Sequence, residues 1–256
     1  MQPKNSKTIC IFNQAGGQAK TTLCFNLGYH LRQRDKTVLL IDMDGQASLT
    51  KQVDLIPKKL QVTISDALLG KQAIPIHEIE LGMDVVPSNG SMYSLDLRLG
   101  MERIEAPALL LRKILEPIQP SYDYILIDCP PSAGLSSYNA LIAASHILIP
   151  IECNDKGMEG IDELVGNVEE VVTQGHKTLS FVGVVPVKAK RKQLKTEETL
   201  KDIYRYFSPF TKVFTPIPHR TDFEHAWAAH VPLAAVRPDS EVLSAFEEII
   251  DHMETL

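Results

Sequence analysis

A chain of 256 residues that is 44% hydrophobic can bury one large core, and a single domain over residues 1–256 is the expectation. A net charge of −6 excludes a surface built throughout for nucleic acid but leaves room for a local basic patch. Four singly placed cysteines, Cys10, Cys24, Cys129 and Cys153, suggest neither a disulfide framework nor a zinc site, so a reducing cytoplasm is expected. The opening residues lack the apolar segment of a signal peptide, and no apolar run approaches the roughly 20 residues a membrane span needs.

In chain order, short β-rich runs fall at 8–13, 37–42, 84–88, 124–129, 146–151, 179–187 and 212–217. They are continuously apolar and separated by helix-length segments, the pattern of a parallel sheet covered on both faces. Between the first two runs Cys24, Leu27, Gly28 and Leu31 recur at helical spacing, giving a strand, loop, helix, strand unit. Residues 51–80 read as helices and loops at the sheet edge. The final stretch, 239–256, alternates apolar and acidic residues like a helix packed on the body, without the basic face of a membrane-surface helix. Trp227, in HAWAAH, is a lone aromatic on an alanine-rich helix, more often core than partner site, and is given no role.

NQAGGQAKTTL, residues 13–23, supplies a glycine-rich turn between a strand and a helix start, the requirements of a phosphate loop. Lys20 would reach the β- and γ-phosphates and the Thr21 hydroxyl would coordinate Mg2+. The strict pattern GxxxxGK[ST] fails because Gln14 and Ala19 stand at the glycine positions, which leaves open a turn that merely joins strand to helix. DMDGQASLT, residues 42–50, puts Asp42 and Asp44 at the carboxyl end of the next strand, the edge where such sheets bind ligands. A carboxylate there can orient or deprotonate the water that attacks a γ-phosphate; the alternative is that both merely start a turn or cap a helix. YDYILIDCPPSAG, residues 122–134, ends a buried strand on Asp128, a Mg2+ partner directly or through water. Cys129 beside it, with no base at a recognisable spacing, reads as a core thiol.

Together, in this order and spacing, these three segments closely resemble the ParA/MinD family of deviant Walker-box ATPases, a resemblance that runs from residue 7 through VFTPIPHRTDFEHA (213–226) to the final helix. The resemblance implies an α/β fold, a single-domain P-loop NTPase with a mostly parallel twisted sheet flanked by helices. It further implies a homodimer with ATP and Mg2+ sandwiched between subunits and taken apart by hydrolysis. Lys20 and Thr21 take the phosphate and Mg2+ roles, Asp44 the water-activating role with Asp42 beside it, and Asp128 the Mg2+-linked role. Ala15, Gly16, Gly17, Gln18, Ala19, Thr22 and Pro218 complete the nucleotide-binding set.

Departures from the family pattern carry their own expectations. The family's signature lysine, two residues before the second glycine, is Ala15 here. Lys156, five residues past the 146–151 strand in a turn bounded by Gly157 and Gly160, is the candidate replacement, in cis or across the dimer, against the reading of an ordinary solvated lysine. McdA, a branch that positions carboxysomes, looks alike in lacking the loop lysine and having one further along the chain, and some plasmid-partition relatives share the FNQAGG form. Ala19 is expected to cost affinity or slow turnover, and Gly45, where relatives often carry proline, to loosen the turn after Asp44.

KAKRKQLK, residues 188–195, holds five positive charges in an acidic protein. Lys188, Lys190, Arg191, Lys192 and Lys195 are the candidates for non-specific DNA binding, as relatives bind DNA through basic residues in the C-terminal half; a solvated loop is the alternative. The implied protein is cytoplasmic and nucleoid-associated, works with a small McdB- or ParB-like adaptor or activator, and does not use a membrane. A metabolic ATP-dependent synthetase, or a nucleotide-bound structural protein with little hydrolysis, are the competing readings.

Overall fold

In the computed structural model, residues 6–173, 179–190 and 192–256 are described. Seven strands, β1 (Lys7–Ile11), β2 (Val38–Asp42), β3 (His77–Glu78), β4 (Asp84–Val86), β5 (Tyr124–Asp128), β6 (His146–Glu152) and β7 (Ser180–Val187), form one sheet in the order β3-β4-β2-β5-β1-β6-β7. All neighbours run parallel except β3, which pairs antiparallel with β4. Because β1 lies between β5 and β6, the chain leaves it toward one edge and returns past it toward the other, and the carboxyl ends of these central strands share one crevice.

The helices are α1 (Lys20–Gln33), α2 (Ser48–Gln52), α3 (Ile64–Leu68), α4 (Leu95–Met101), α5 (Leu110–Leu115), α6 (Leu135–Ala143), α7 (Asp155–Met158), α8 (Ile161–Thr173), α9 (Leu194–Phe207), α10 (Asp222–Ala228), α11 (Leu233–Val236) and α12 (Leu243–Thr255). Alternation along each strand sends side chains to opposite faces. Cys10 and Phe12, Leu39 and Ile41, and Ile125 and Ile127 join the core under α3 to α6, α8 and α9. Ile9 and Ile11, Leu40 and Leu126 join the core with Leu23, Leu27 and Leu31 of α1 and Phe246, Ile249 and Ile250 of α12. Gly28 brings α1 close to the sheet: a Cβ there would lie 2.7 Å from Leu40 Cδ2 and 3.1 Å from Met83 Sδ.

Six of the seven sequence-expected strands form, with ends moved by one or two residues. The seventh, 212–217, is corrected. That segment runs beside β7 and exchanges bonds with it, Phe214 N–H donating to Val184 O at 2.9 Å and Ile217 N–H to Pro186 O at 2.9 Å. Only isolated bridges result, Val213 with Val184 and Pro218 with Ala189. Pro216 and Pro218 have no N–H to give a ladder. Residues 51–80 hold the expected helices and loops plus β3, whose two residues are strand only by virtue of pairing with β4. Trp227 is 40% exposed rather than buried. Cys129 is a buried core thiol, its Sγ 3.1 Å from that of Cys10. Among the described residues no helix is long and apolar enough to cross a membrane.

Candidate nucleotide site

Asn13 lies two residues past the end of β1 and fixes the loop that comes after it. Its Nδ2 donates to Pro150 O of β6 at 2.7 Å, and its Oδ1 accepts from Ala15 N–H at 2.8 Å. Lys20, the first residue of α1, folds back across the loop and donates to Asn13 O at 2.7 Å and Ala15 O at 3.0 Å. Burial lowers its pKa, against the raising effect of the Asp128 carboxylate. The ammonium is therefore held inside the turn, where phosphate oxygens would share it.

Two loop positions are left-handed: Gly17 at φ 77° and Ala19 at φ 56°, ψ 24°. The backbone at Ala19 takes the glycine-type conformation that the sequence lacks a glycine to fill, at a cost of about 1–2 kcal/mol for an L-residue. Gln18, almost fully buried, turns its side chain outward to the next strand, its Oε1 accepting from Glu152 N–H at 2.6 Å. The phosphate loop is thus tied at both ends to β6.

Beside the loop, β2 and β5 end in register on Asp42 and Asp128. Thr21 Oγ1 donates to Asp128 Oδ2 at 2.7 Å, while Asp128 Oδ1 is buried without a hydrogen-bond partner. Burial, then the neighbouring Asp42 carboxylate, push the Asp128 pKa well up. A divalent cation satisfies all three features: it meets the orphaned oxygen, joins the threonine hydroxyl and offsets the crowded negative charge. The donor set is all oxygen, as Mg2+ prefers.

Asp42 is fully buried and both its oxygens are used. Oδ1 accepts from Asp44 N–H at 3.1 Å; Oδ2 accepts from Thr50 N–H at 2.8 Å and Thr50 Oγ1 at 2.7 Å. It therefore starts the turn that carries Asp44. Asp44 itself lies at the mouth of the crevice, its Oδ1 accepting from Gln46 N–H and its carbonyl from Ser88 Oγ. It lines a cavity of about 340 Å³ with Gly45, Tyr93, Pro131, Ser132 and Gly134. Gly45 was expected to loosen this turn. In the structure Gly45 seats the Tyr93 ring, which a Cβ would approach to 2.9 Å.

Ala19, Thr22 and Pro218 meet around a cavity of about 130 Å³ at the start of α1, with Lys188, Ile217 and Phe223. It adjoins the phosphate loop. Lys156 lies on α7, exposed, in a turn capped by Asn154, whose Oδ1 accepts from Gly157 N–H at 2.9 Å. Among the basic residues, Lys190, Lys192 and Lys195 are exposed at the end of β7 and the start of α9, whereas Lys188 turns back to the phosphate loop. Arg191 lies outside the described residues. Asn13, Glu152 and Ser88 were missed by sequence reasoning. Only Asn13, next to the loop, carried a local signal.

A strand, phosphate-loop and helix unit with a threonine–aspartate pair beside it defines a P-loop NTPase, and ATP with Mg2+ is the cofactor pair that this geometry fits. A family model described as an AAA domain matches residues 6–181. Similar proteins include the chromosome-partitioning ATPase Soj of Treponema pallidum, 30% identical over 251 residues and covering 95% of each chain. The chain belongs to the ParA/MinD family of ATPases. Similar solved structures include McdA of Cyanothece in complex with ATP, at TM-score 0.88 and 23% identity, covering 98% of this chain and 97% of that one. Another is cobyrinic acid a,c-diamide synthase of Mycobacterium smegmatis with bound ATP analog and magnesium, at TM-score 0.85 and 25% identity, covering 96% and 93%.

Proposed function

We propose that this ATPase is a dimerising switch: two copies sandwich two ATP molecules, the ATP dimer holds DNA without reading its sequence, and a partner protein stimulates hydrolysis to release it. The cargo so positioned is a carboxysome or a plasmid, and the working location is the nucleoid. The observation that carries this reading is the Thr21–Asp128 pair, with an unsatisfied buried carboxylate oxygen beside a lysine-tipped loop. It is supported by likeness to chromosome-partitioning relatives along the whole chain.

In this reading Lys20 neutralises phosphate charge from within the loop, and Thr21 and Asp128 hold Mg2+, which when bound offsets charge on the β- and γ-phosphate oxygens. Asp44, aimed by Asp42, orients the attacking water and takes up its proton. Lys156 supplies the cation that Ala15 does not, so that ATP binds best when two copies meet. Lys190, Lys192 and Lys195, with Arg191, contact DNA phosphates.

Dimerisation, DNA retention and phosphate release with ATP test this for the parent, Asp44→Ala and Lys156→Ala. Asp44→Ala is expected to stay dimeric and on DNA with ATP while releasing no phosphate, and Lys156→Ala to lose both the dimer and the DNA. A Lys156→Ala protein that behaves like the parent removes Lys156 from the switch. A second reading, an ATP-dependent synthetase, draws on the likeness to the diamide synthase. It requires phosphate release that depends on a small carboxylate substrate and ignores DNA.

A further inference from the structure

Lys188 stands apart from the other basic residues of its segment. It immediately follows β7, and its side chain reaches Glu152, the last residue of β6, with Nζ 3.5 Å from Oε2. Both are partly shielded, at 36% and 23% side-chain exposure. The pair lies over the middle of the phosphate loop: a Cβ built at Gly17 would be 3.7 Å from Lys188 Nζ and 3.9 Å from Glu152 Oε2.

The position is fixed from both sides. Glu152 N–H donates to Gln18 Oε1, and Cys153 N–H donates to Val187 O at 2.9 Å, so the ends of β6, β7 and the loop form one unit. At Gly157 a Cβ would fall 1.8 Å from Glu152 O, so the turn after β6 presses directly on the glutamate backbone. Lys188 itself is left-handed, at φ 53°, a conformation of some cost to a lysine, and it turns the chain at the crevice edge. It also lines the cavity beside Ala19, Thr22 and Pro218.

A carboxylate this close to a phosphate loop repels the ligand, whereas an ammonium here attracts it. In the structure the two neutralise one another. An arriving phosphate chain offers Lys188 a second anionic partner within a few ångströms, at a loop whose own signature position is the uncharged Ala15.

We propose that Lys188 is a phosphate ligand acting in cis on a nucleoside di- or triphosphate, and that Glu152 restrains it by competing for the same ammonium. This rests on the site taking ATP. Lys188 then supplies part of the positive charge within a single subunit, independently of dimerisation, and does not belong with the DNA-contacting lysines. Glu152 sets how tightly nucleotide is held, so the two residues tune affinity in opposite directions.

Equilibrium binding of Mg-ATP and Mg-ADP, without DNA, separates the possibilities for the parent, Lys188→Gln, Lys188→Arg, Glu152→Gln and, as a control, Lys190→Gln. Lys188→Gln is expected to weaken nucleotide about tenfold, the scale of a charge-assisted hydrogen bond. Lys188→Arg restores most of it, Glu152→Gln tightens binding several-fold, and Lys190→Gln matches the parent. Thermal melting of each variant without nucleotide checks that the fold is kept; if Lys188→Gln melts early, Glu152→Gln carries the test. Parental affinity in Lys188→Gln, or weakened binding in Glu152→Gln, overturns the proposal and leaves the ATP site standing. A parent that binds no Mg-ATP removes the ATP reading and this one with it.

Discussion

Asp42 and Asp128 end neighbouring strands in register, both buried, one holding a turn and the other a threonine. Burial pushes the pKa of both carboxyl groups up, Asp128 further through the neighbouring Asp42 carboxylate and Asp42 through that of Asp44. The fold thus holds concentrated negative charge beneath the first turn of α1, where Mg2+ belongs.

For Asp42 the consequence is a pH dependence of stability. Burial, opposed by its hydrogen bonds from Thr50 and Asp44, pushes its pKa up to about 6, against about 3.9 for an unfolded aspartate. Between these values the folded state holds a proton that the unfolded state has lost. Its contribution to stability therefore falls as pH rises from about 4 to about 6, and is level above. Urea midpoints of the nucleotide-free protein and of Asp42→Asn across that window isolate the effect, since the variant lacks the titration. The variant is expected to lose stability of about 1 kcal/mol at low pH, from the bond to Asp44 N–H that an amide cannot accept as well, and to close the gap as pH rises. A gap that stays constant contradicts this.

Ala19→Gly relieves the left-handed backbone at φ 56°. The relief, about 1–2 kcal/mol, exceeds the entropy an added glycine brings to the unfolded chain, about 0.5–1 kcal/mol. A small gain in thermal stability is expected, with tighter Mg-ATP binding as the loop closes more freely on phosphate. Calorimetry and a nucleotide titration check both, and a loss of stability shows that the Ala19 methyl packs better than its backbone suffers.

Gly157→Ala forces the turn after β6 off Glu152, because its Cβ would overlap a backbone oxygen at 1.8 Å. Such a contact cannot be relieved by a side-chain rotation, and a cost of at least about 2 kcal/mol is expected. The displaced turn also carries Lys156, and the Gln18–Glu152 bond goes with it. Melting temperature and Mg-ATP affinity should fall together. A variant that keeps both shows that the turn can move without disturbing the loop.

The parts of the site readable in the sequence were those written within one short segment: the loop ending at Lys20, the aspartates closing two apolar strands, the threonine in the first turn of the helix. Contacts that bring distant strand ends together were not. Glu152 and Lys188 lie 36 positions apart and meet only because β6 and β7 pair, so Lys188 was grouped with its basic neighbours. The segment 212–217 looked like a strand because it is a short apolar run at the spacing of the others, but Pro216 and Pro218 withhold the N–H groups a ladder needs. Nothing in HE at 77–78 could announce β3, which exists through its partner. Gly45 seats an aromatic ring from 48 residues away, which no local pattern records.

Arg34 joins α1 to α12. It bonds Glu247, Asp251 at 2.7 Å and Glu254 at 2.8 Å, while His30 bonds Glu247 and stacks on Phe246 at 5.4 Å. Arg34→Met leaves three acids facing one another without their shared cation. A loss of about 1–2 kcal/mol is expected in dilute buffer, smaller in high salt as the repulsion is screened. Urea unfolding at the two ionic strengths measures it, and an equal loss at both would mean the guanidinium acts by packing alone.

The central claim is that ATP, held by Lys20, Thr21 and Asp128, joins two copies of this chain. Sedimentation velocity of the purified protein with Mg-ATP, with Mg-ADP and without nucleotide tests it most directly, using Asp44→Ala to prevent turnover. The expected result is a dimer with Mg-ATP and a monomer in the other two conditions. A single monomeric species at saturating Mg-ATP, in a sample shown to have bound the nucleotide, would contradict the switch.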